Sequence, residues 1–74
     1  MNNDSVVITS DESSFKVKII VDDLEVKNGP GENFITVLHI RDKSIYSINV
    51  IENEHWGKLK SGIGWIDLNY TVRV

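Results

Sequence analysis

From Phe15 the chain alternates: Phe15, Val17, Ile19 and Val21 fall on one face and Lys16 and Lys18 on the other, the period of two that marks a half-buried strand. After Asp22-Asp23 the alternation resumes, with Leu24 and Val26 inward and Glu25 and Lys27 outward. Asn28-Gly29-Pro30-Gly31 follows, the densest turn signal in the sequence. Two glycines around the only proline exclude regular structure there and predict a positive φ at one or both, with an ordered loop running to Phe34. Ile35 to Ile40 predicts a third strand, Asp42-Lys43 a turn, and Ile45 to Ile51 a fourth strand. Glu52-Asn53-Glu54 turns into a fifth at Trp56 to Leu59, and Ser61-Gly62 turns into a short sixth at Gly64-Trp65-Ile66. Tyr70 to Val74 closes the series. Short strands at this spacing, separated by turn chemistry, predict a small all-β barrel or sandwich. There is no internal repeat and no low-complexity tract.

Ahead of the alternation, residues 1–13 are rich in Asn, Asp and Ser, with one short apolar run at Val6-Val7-Ile8. They are expected to be a flexible linker before a domain at 14–74; the alternative is an added edge strand from Val6 to Thr9. Composition agrees with strands: Ile and Val supply 19 of 74 residues and Ala is absent. β-branched side chains suit a pleated strand and crowd a helix.

A chain of 74 residues buries only roughly 60% of its unfolded surface, enough for one small core. With no Cys and two His there is no disulfide or metal framework to build a deep pocket around, so catalysis is not expected and no cofactor is implied. The longest unbroken apolar stretch, Ile19-Ile20-Val21, is far short of the ~20 residues a bilayer requires, and no signal peptide opens the sequence. A soluble domain without membrane contact is expected, any export signal lying elsewhere. The net charge is −3, but Asp4, Asp11 and Glu12 all lie in the first thirteen residues, and what remains is balanced, eight acidic against eight basic groups. A neutral body exerts no long-range pull on nucleic acid or an anionic polymer.

Two segments carry a family resemblance. Leu24-Glu25-Val26-Lys27-Asn28-Gly29-Pro30-Gly31-Glu32-Asn33-Phe34 resembles the L-N-V-R-S-G-P-G-x-x-[YF] signature of bacterial SH3-like (SH3b) domains. Trp56-Gly57-Lys58-Leu59 followed by Gly62-Ile63-Gly64-Trp65-Ile66 is similar to that family's W-x-K-V…G-x-x-G-W-[IV]. Order, spacing and loop lengths agree from about Lys16 to the C-terminus. The resemblance implies an SH3-like β-barrel of five to seven short strands, a non-catalytic module that holds an attached peptidoglycan hydrolase on its substrate, as in cell-wall amidases and phage endolysins. It also implies an extracellular, cell-wall-associated location through the parent protein, with residues 1–13 as interdomain linker and Met1 as either an expression start or an internal start. Departures are Glu25, Lys27 and Asn28 in place of the usual Asn, Arg and Ser, and Leu38 and Lys43 where Gly is common. Lys43 predicts a different turn type, since Lys tolerates positive φ poorly.

The binding face follows from parity. Trp56 and Leu59 are three apart, so a regular strand points them to opposite sides; with Leu59 in the core, Trp56 is expected on the surface, an aromatic anchor rimming a groove. Gly64-Trp65-Ile66-Asp67-Leu68-Asn69-Tyr70 resembles the G-Y-I-P-S-N-Y stretch of eukaryotic SH3 domains, which implies that Tyr70 lines the same groove, while Asp67 replaces the proline. Phe34 is expected to close the other wall, with Asn28, Glu32 and Asn33 supplying donors and acceptors. Trp65 is either a further contact or a structural residue partly covering the barrel. Trp56 and Tyr70 stand likewise between ligand contact and plain packing, Tyr46 is expected to pack on the sheet surface, and Phe15 in the core.

A peptidoglycan stem or cross-bridge peptide is extended and rich in amides, which suits amide and carboxylate side chains beside aromatic faces. His39 and His55 are far apart with no carboxylate at ligand spacing, so no metal is expected, and Asp22-Asp23 and Glu52 with Glu54 read as solvated turn residues. The leading expectation is thus a peptidoglycan-peptide-binding module, monomeric as an isolated domain. The alternatives are a protein- or wall-polymer-binding module of a bacterial surface protein, and a homo-oligomerising domain.

Overall fold

The computed structural model describes residues 14–74. The expected linker at 1–13 and the alternative strand at Val6 to Thr9 lie outside the described residues. Seven strands follow in order: β1 (Phe15–Ile19), β2 (Leu24–Lys27), β3 (Thr36–Ile40), β4 (Ile45–Glu52), β5 (Trp56–Leu59), β6 (Trp65–Asp67) and β7 (Thr71–Arg73). One turn of 3-10 helix, η1 (Leu68–Tyr70), separates the last two strands. The domain is all-β, as expected, and every strand pairing is antiparallel.

Among the described residues the strands form one sheet in the order β3-β2-β6-β5-β4-β1-β7, a small barrel-like fold that is not closed, with β3 and β7 at its two ends. Alternation builds the core as expected: in β1 Val17 and Ile19 are buried while Lys16 and Lys18 are exposed. Leu24, Val26, Ile40, Ile48, Leu59 and Ile66 complete the cluster. Four of these side chains, Ile19, Ile48, Ile66 and Val26, are fully out of solvent. Phe15 and Tyr46 pack against the cluster from its margin rather than inside it. The Arg73 guanidinium lies 3.9 Å from the Phe15 ring centre, and the Tyr46 hydroxyl donates to Asp42 at 3.0 Å.

Three expectations are corrected. The closing strand begins at Thr71, not Tyr70, because Asp67 caps η1 by accepting from the Asn69 amide at 3.0 Å. The positive φ expected at Gly29 or Gly31 falls instead at Gly62, with φ 85°. What the loop asks of Gly29 is space: the Phe34 ring lies against it so closely that a Cβ there would collide with the ring. Lys27 points away from the core as its parity requires, yet it is buried, for its ammonium is held by Glu25 at 2.7 Å and by the Thr36 hydroxyl at 2.8 Å.

Candidate functional site

On the face of the sheet opposite the core, a cleft of about 420 Å³ runs across the junction of β2 and β6. β2 and β3 supply one wall through Glu25, Lys27 and His39. β5 and β6 supply the other through Trp56 and Asp67, neighbours in the register, and η1 adds Tyr70. Glu32 enters from the loop between β2 and β3.

Trp56 is not the exposed anchor that its parity suggested. It lies on the expected side of the sheet but is only 5% exposed, so the cleft is built over it rather than beside it. Tyr70 is 48% exposed and is the aromatic surface open to an occupant. Its place is fixed by its backbone: the Ile20 amide donates to the Tyr70 carbonyl at 3.1 Å, and the Thr71 hydroxyl ties η1 by donating to Leu68 O at 2.8 Å.

Of the seven residues singled out from sequence, the fold therefore brings Glu32, Trp56 and Tyr70 together. Asn28 and Asn33 are exposed on the loop and do not line the cleft. Phe34 does not close the second wall, because its ring is folded back over Gly29 and Gly31. Trp65 faces away from the core beside Lys58, whose ammonium is 5.9 Å from the ring centre, and it too lies outside the cleft.

The wall from β2 and β3 consists of Glu25 and Lys27, which alternation placed outward, with His39 and the turn residue Asp23 beside them, and both histidines of the chain are paired. Asp23 accepts from the His39 ring at 2.7 Å and from Arg41 at 3.2 Å. His55 Nδ1 meets Asp67 Oδ1 at 2.8 Å, and since a carboxylate only accepts, the ring donates. Each histidine thus has a carboxylate partner that sequence separation hid, 16 residues away for His39 and 12 for His55. These pairs are two-membered, and among the described residues no group of three His, Cys, Asp or Glu could hold a metal ion. The signal available beforehand was the shared parity of Asp23, Glu25 and Lys27; the missing information was the register that sets Glu25 opposite His39.

The wall neutralises itself. The hydrogen bond and charge of Lys27 hold the Glu25 carboxyl below its ordinary value of 4.5. The His39 hydrogen bond, opposed by desolvation and reinforced by Arg41, holds Asp23 below 3.8. A carboxylate whose folded value is depressed favours the folded chain above its unfolded value, and the benefit is lost as pH falls through the folded one. Stability is therefore expected to drop progressively below about pH 4.5, the ordinary Glu value. Thermal midpoints followed by circular dichroism should fall less steeply across that window in Glu25→Gln than in the parent. Equal slopes would show that the Lys27 pair contributes nothing.

Compared with known proteins, the chain matches no family model, no curated protein and no solved structure.

Proposed function

We propose that this chain is a non-catalytic, SH3-like binding module that takes a peptidoglycan stem or cross-bridge peptide in the β2–β6 cleft and so holds an attached cell-wall hydrolase on its substrate. The observation that carries this is the meeting of Tyr70 and Glu32, both exposed, at one concave surface floored by Trp56. A half-exposed phenol ring supplies an apolar face with a polar tip, and Glu32, which makes no ion pair among the described residues, supplies free acceptors. An extended peptide needs both, the ring for its backbone or methyl surfaces and the carboxylate for amide or amine donors. The two motif segments that resemble bacterial SH3-like domains supply the rest of the case.

Binding by a single copy is expected to be weak, because a shallow cleft on so small a barrel buries little area, and retention on a polymer then depends on avidity. A module for a protein partner is the second reading, favoured by β3 lying at one end of the sheet among the described residues and by the exposed Ile35, Val37 and Leu38 beside and along it. An anionic wall polymer is disfavoured by Glu32, the one cleft carboxylate without an ion-pair partner among the described residues.

Co-sedimentation with purified sacculi, before and after removal of wall polymers, separates these readings. Retention by stripped sacculi is expected, with Tyr70→Ala lowering the bound fraction roughly five- to tenfold while leaving the thermal midpoint nearly unchanged. Retention that vanishes with the polymers, or that is indifferent to Tyr70→Ala, would overturn the assignment.

A further inference from the structure

We propose that Asn53, at the tip of the β4–β5 hairpin, is a positioning residue for the cleft: it fixes the loop at 28–34 and thereby the place of Glu32, a role that rests on the cleft being the ligand site. The Asn53 side-chain amide donates to the Pro30 carbonyl at 2.7 Å, a bond that spans 23 residues of sequence and reaches the loop from across the sheet. Backbone bonds in this region stay local: Asn28 N to Ile35 O at 2.9 Å, Gly31 N to Gly29 O at 2.9 Å and Phe34 N to Gly31 O at 3.3 Å. Phe34 supplies the loop's own packing by lying on Gly29 and Gly31, but its ring remains 46% exposed. The strand pairing of Lys27 with Trp65 anchors the loop at its root, and the Asn53 amide holds it further out, at Pro30, with Glu32 two residues beyond the carbonyl it holds.

The hairpin accepts an unfavourable backbone to present this side chain. Asn53 and Glu54 both have left-handed φ, 49° and 73°, between the paired residues Glu52 and Trp56. Asn is among the few non-glycine residues that tolerate this conformation, and Gly would adopt it with less strain but would bring no amide. The residue at the tip thus combines a tolerated left-handed backbone with a donor of the right reach.

Two substitutions in the full chain separate positioning from support of the fold. Asn53→Asp keeps the left-handed tolerance but sets an acceptor against the Pro30 carbonyl, and Asn53→Gly relieves the backbone while removing the donor. Amide hydrogen exchange at Gly31 and Phe34 is expected to accelerate about tenfold or more in both, with Leu59 and Ile66 unchanged and the Asn53→Gly thermal midpoint close to the parent's. Retention on stripped sacculi should fall severalfold in both variants although neither touches the cleft. Unchanged exchange at Gly31 and Phe34 would overturn the proposal. So would acceleration spread evenly over Leu59 and Ile66, which would make Asn53 a support of the whole fold, or a loosened loop that leaves retention intact. If the parent chain itself is not retained by stripped sacculi, the peptidoglycan reading fails, and the exchange comparison still decides whether Asn53 holds the loop.

Discussion

Trp56→Ala is expected to destabilise the domain by about 3–5 kcal/mol, the cost of deleting a buried aromatic side chain and leaving a void. The indole is 5% exposed, sits beneath the cleft, and stands opposite Asp67 on β6 and Glu52 on β4, with the His55 ring 5.9 Å away. A domain of this size has only roughly 3–9 kcal/mol of net stability, so the loss consumes most of it. In urea, with a slope of about 1 kcal/mol/M, the midpoint should fall by about 3–5 M with the slope itself unchanged, Trp65 fluorescence reporting the transition. A midpoint within about 0.5 M of the parent's would instead return Trp56 to the surface. The consequence for function is practical. Failure of the Trp56→Ala chain to bind sacculi would reflect unfolding as readily as a lost contact, and Tyr70 is the aromatic on which binding can be tested cleanly.

Why parity located Trp56 on the correct side of the sheet and still misjudged its environment is instructive. A period of two assigns a face, and the assignment held for Val17, Ile19, Leu24, Val26 and Leu59 because one apolar layer is all that a sheet this small encloses. Depth on the outer face depends on what distant segments lay over it. The cleft over Trp56 is completed by Val21 from the β1–β2 connection, Glu32 from the β2–β3 loop and Tyr70 from η1. None of these is local to Trp56 in the sequence. The same holds for Lys27, which alternation marks as outward and which Glu25 and Thr36 enclose once β2 and β3 pair.

Turn chemistry was legible where composition determines it and misleading where a side chain does. Gly62 takes its positive φ at a Ser-Gly turn seen from composition alone. In the Gly-Pro-Gly loop the glycines answer to the bulk of Phe34, and the left-handed residues appear instead at Asn53 and Glu54, where the sequence offered a turn but no glycine. Parity, loop chemistry and the motif resemblance together singled out seven residues and the fold gathers three of them, because a shared loop places residues in one neighbourhood without fixing which side chains turn toward the cleft.

Gly64→Ala is expected to cost about 2–4 kcal/mol for a reason that alternation cannot express. A Cβ at Gly64 would collide with the Lys27 carbonyl oxygen and approach Val26 Cγ1 to 2.8 Å. Neither neighbour can yield cheaply. Val26 is fully buried, and the Lys27 backbone is held on one side by pairing with β3 and on the other by its register with Trp65. Gly64 itself is tied to β5, since its carbonyl accepts from the Leu59 amide at 2.9 Å. The methyl must therefore push β2 away from β6, and that is the pairing through which the β2–β3 hairpin joins the rest of the sheet. Glu25, Lys27 and His39 lie on the hairpin side of this seam and Trp56, Asp67 and Tyr70 on the other, so opening it splits the cleft lengthwise. Gly62→Ala provides the comparison: nothing lies within 4 Å of a Cβ there, and the cost is the left-handed backbone alone, about 1–2 kcal/mol. Urea midpoints should rank the parent above Gly62→Ala and Gly62→Ala above Gly64→Ala, and amide exchange should accelerate in β2 and β3 only in the last. If Gly64→Ala matched the parent, the close approach of β2 and β6 that defines the cleft floor would not exist in solution.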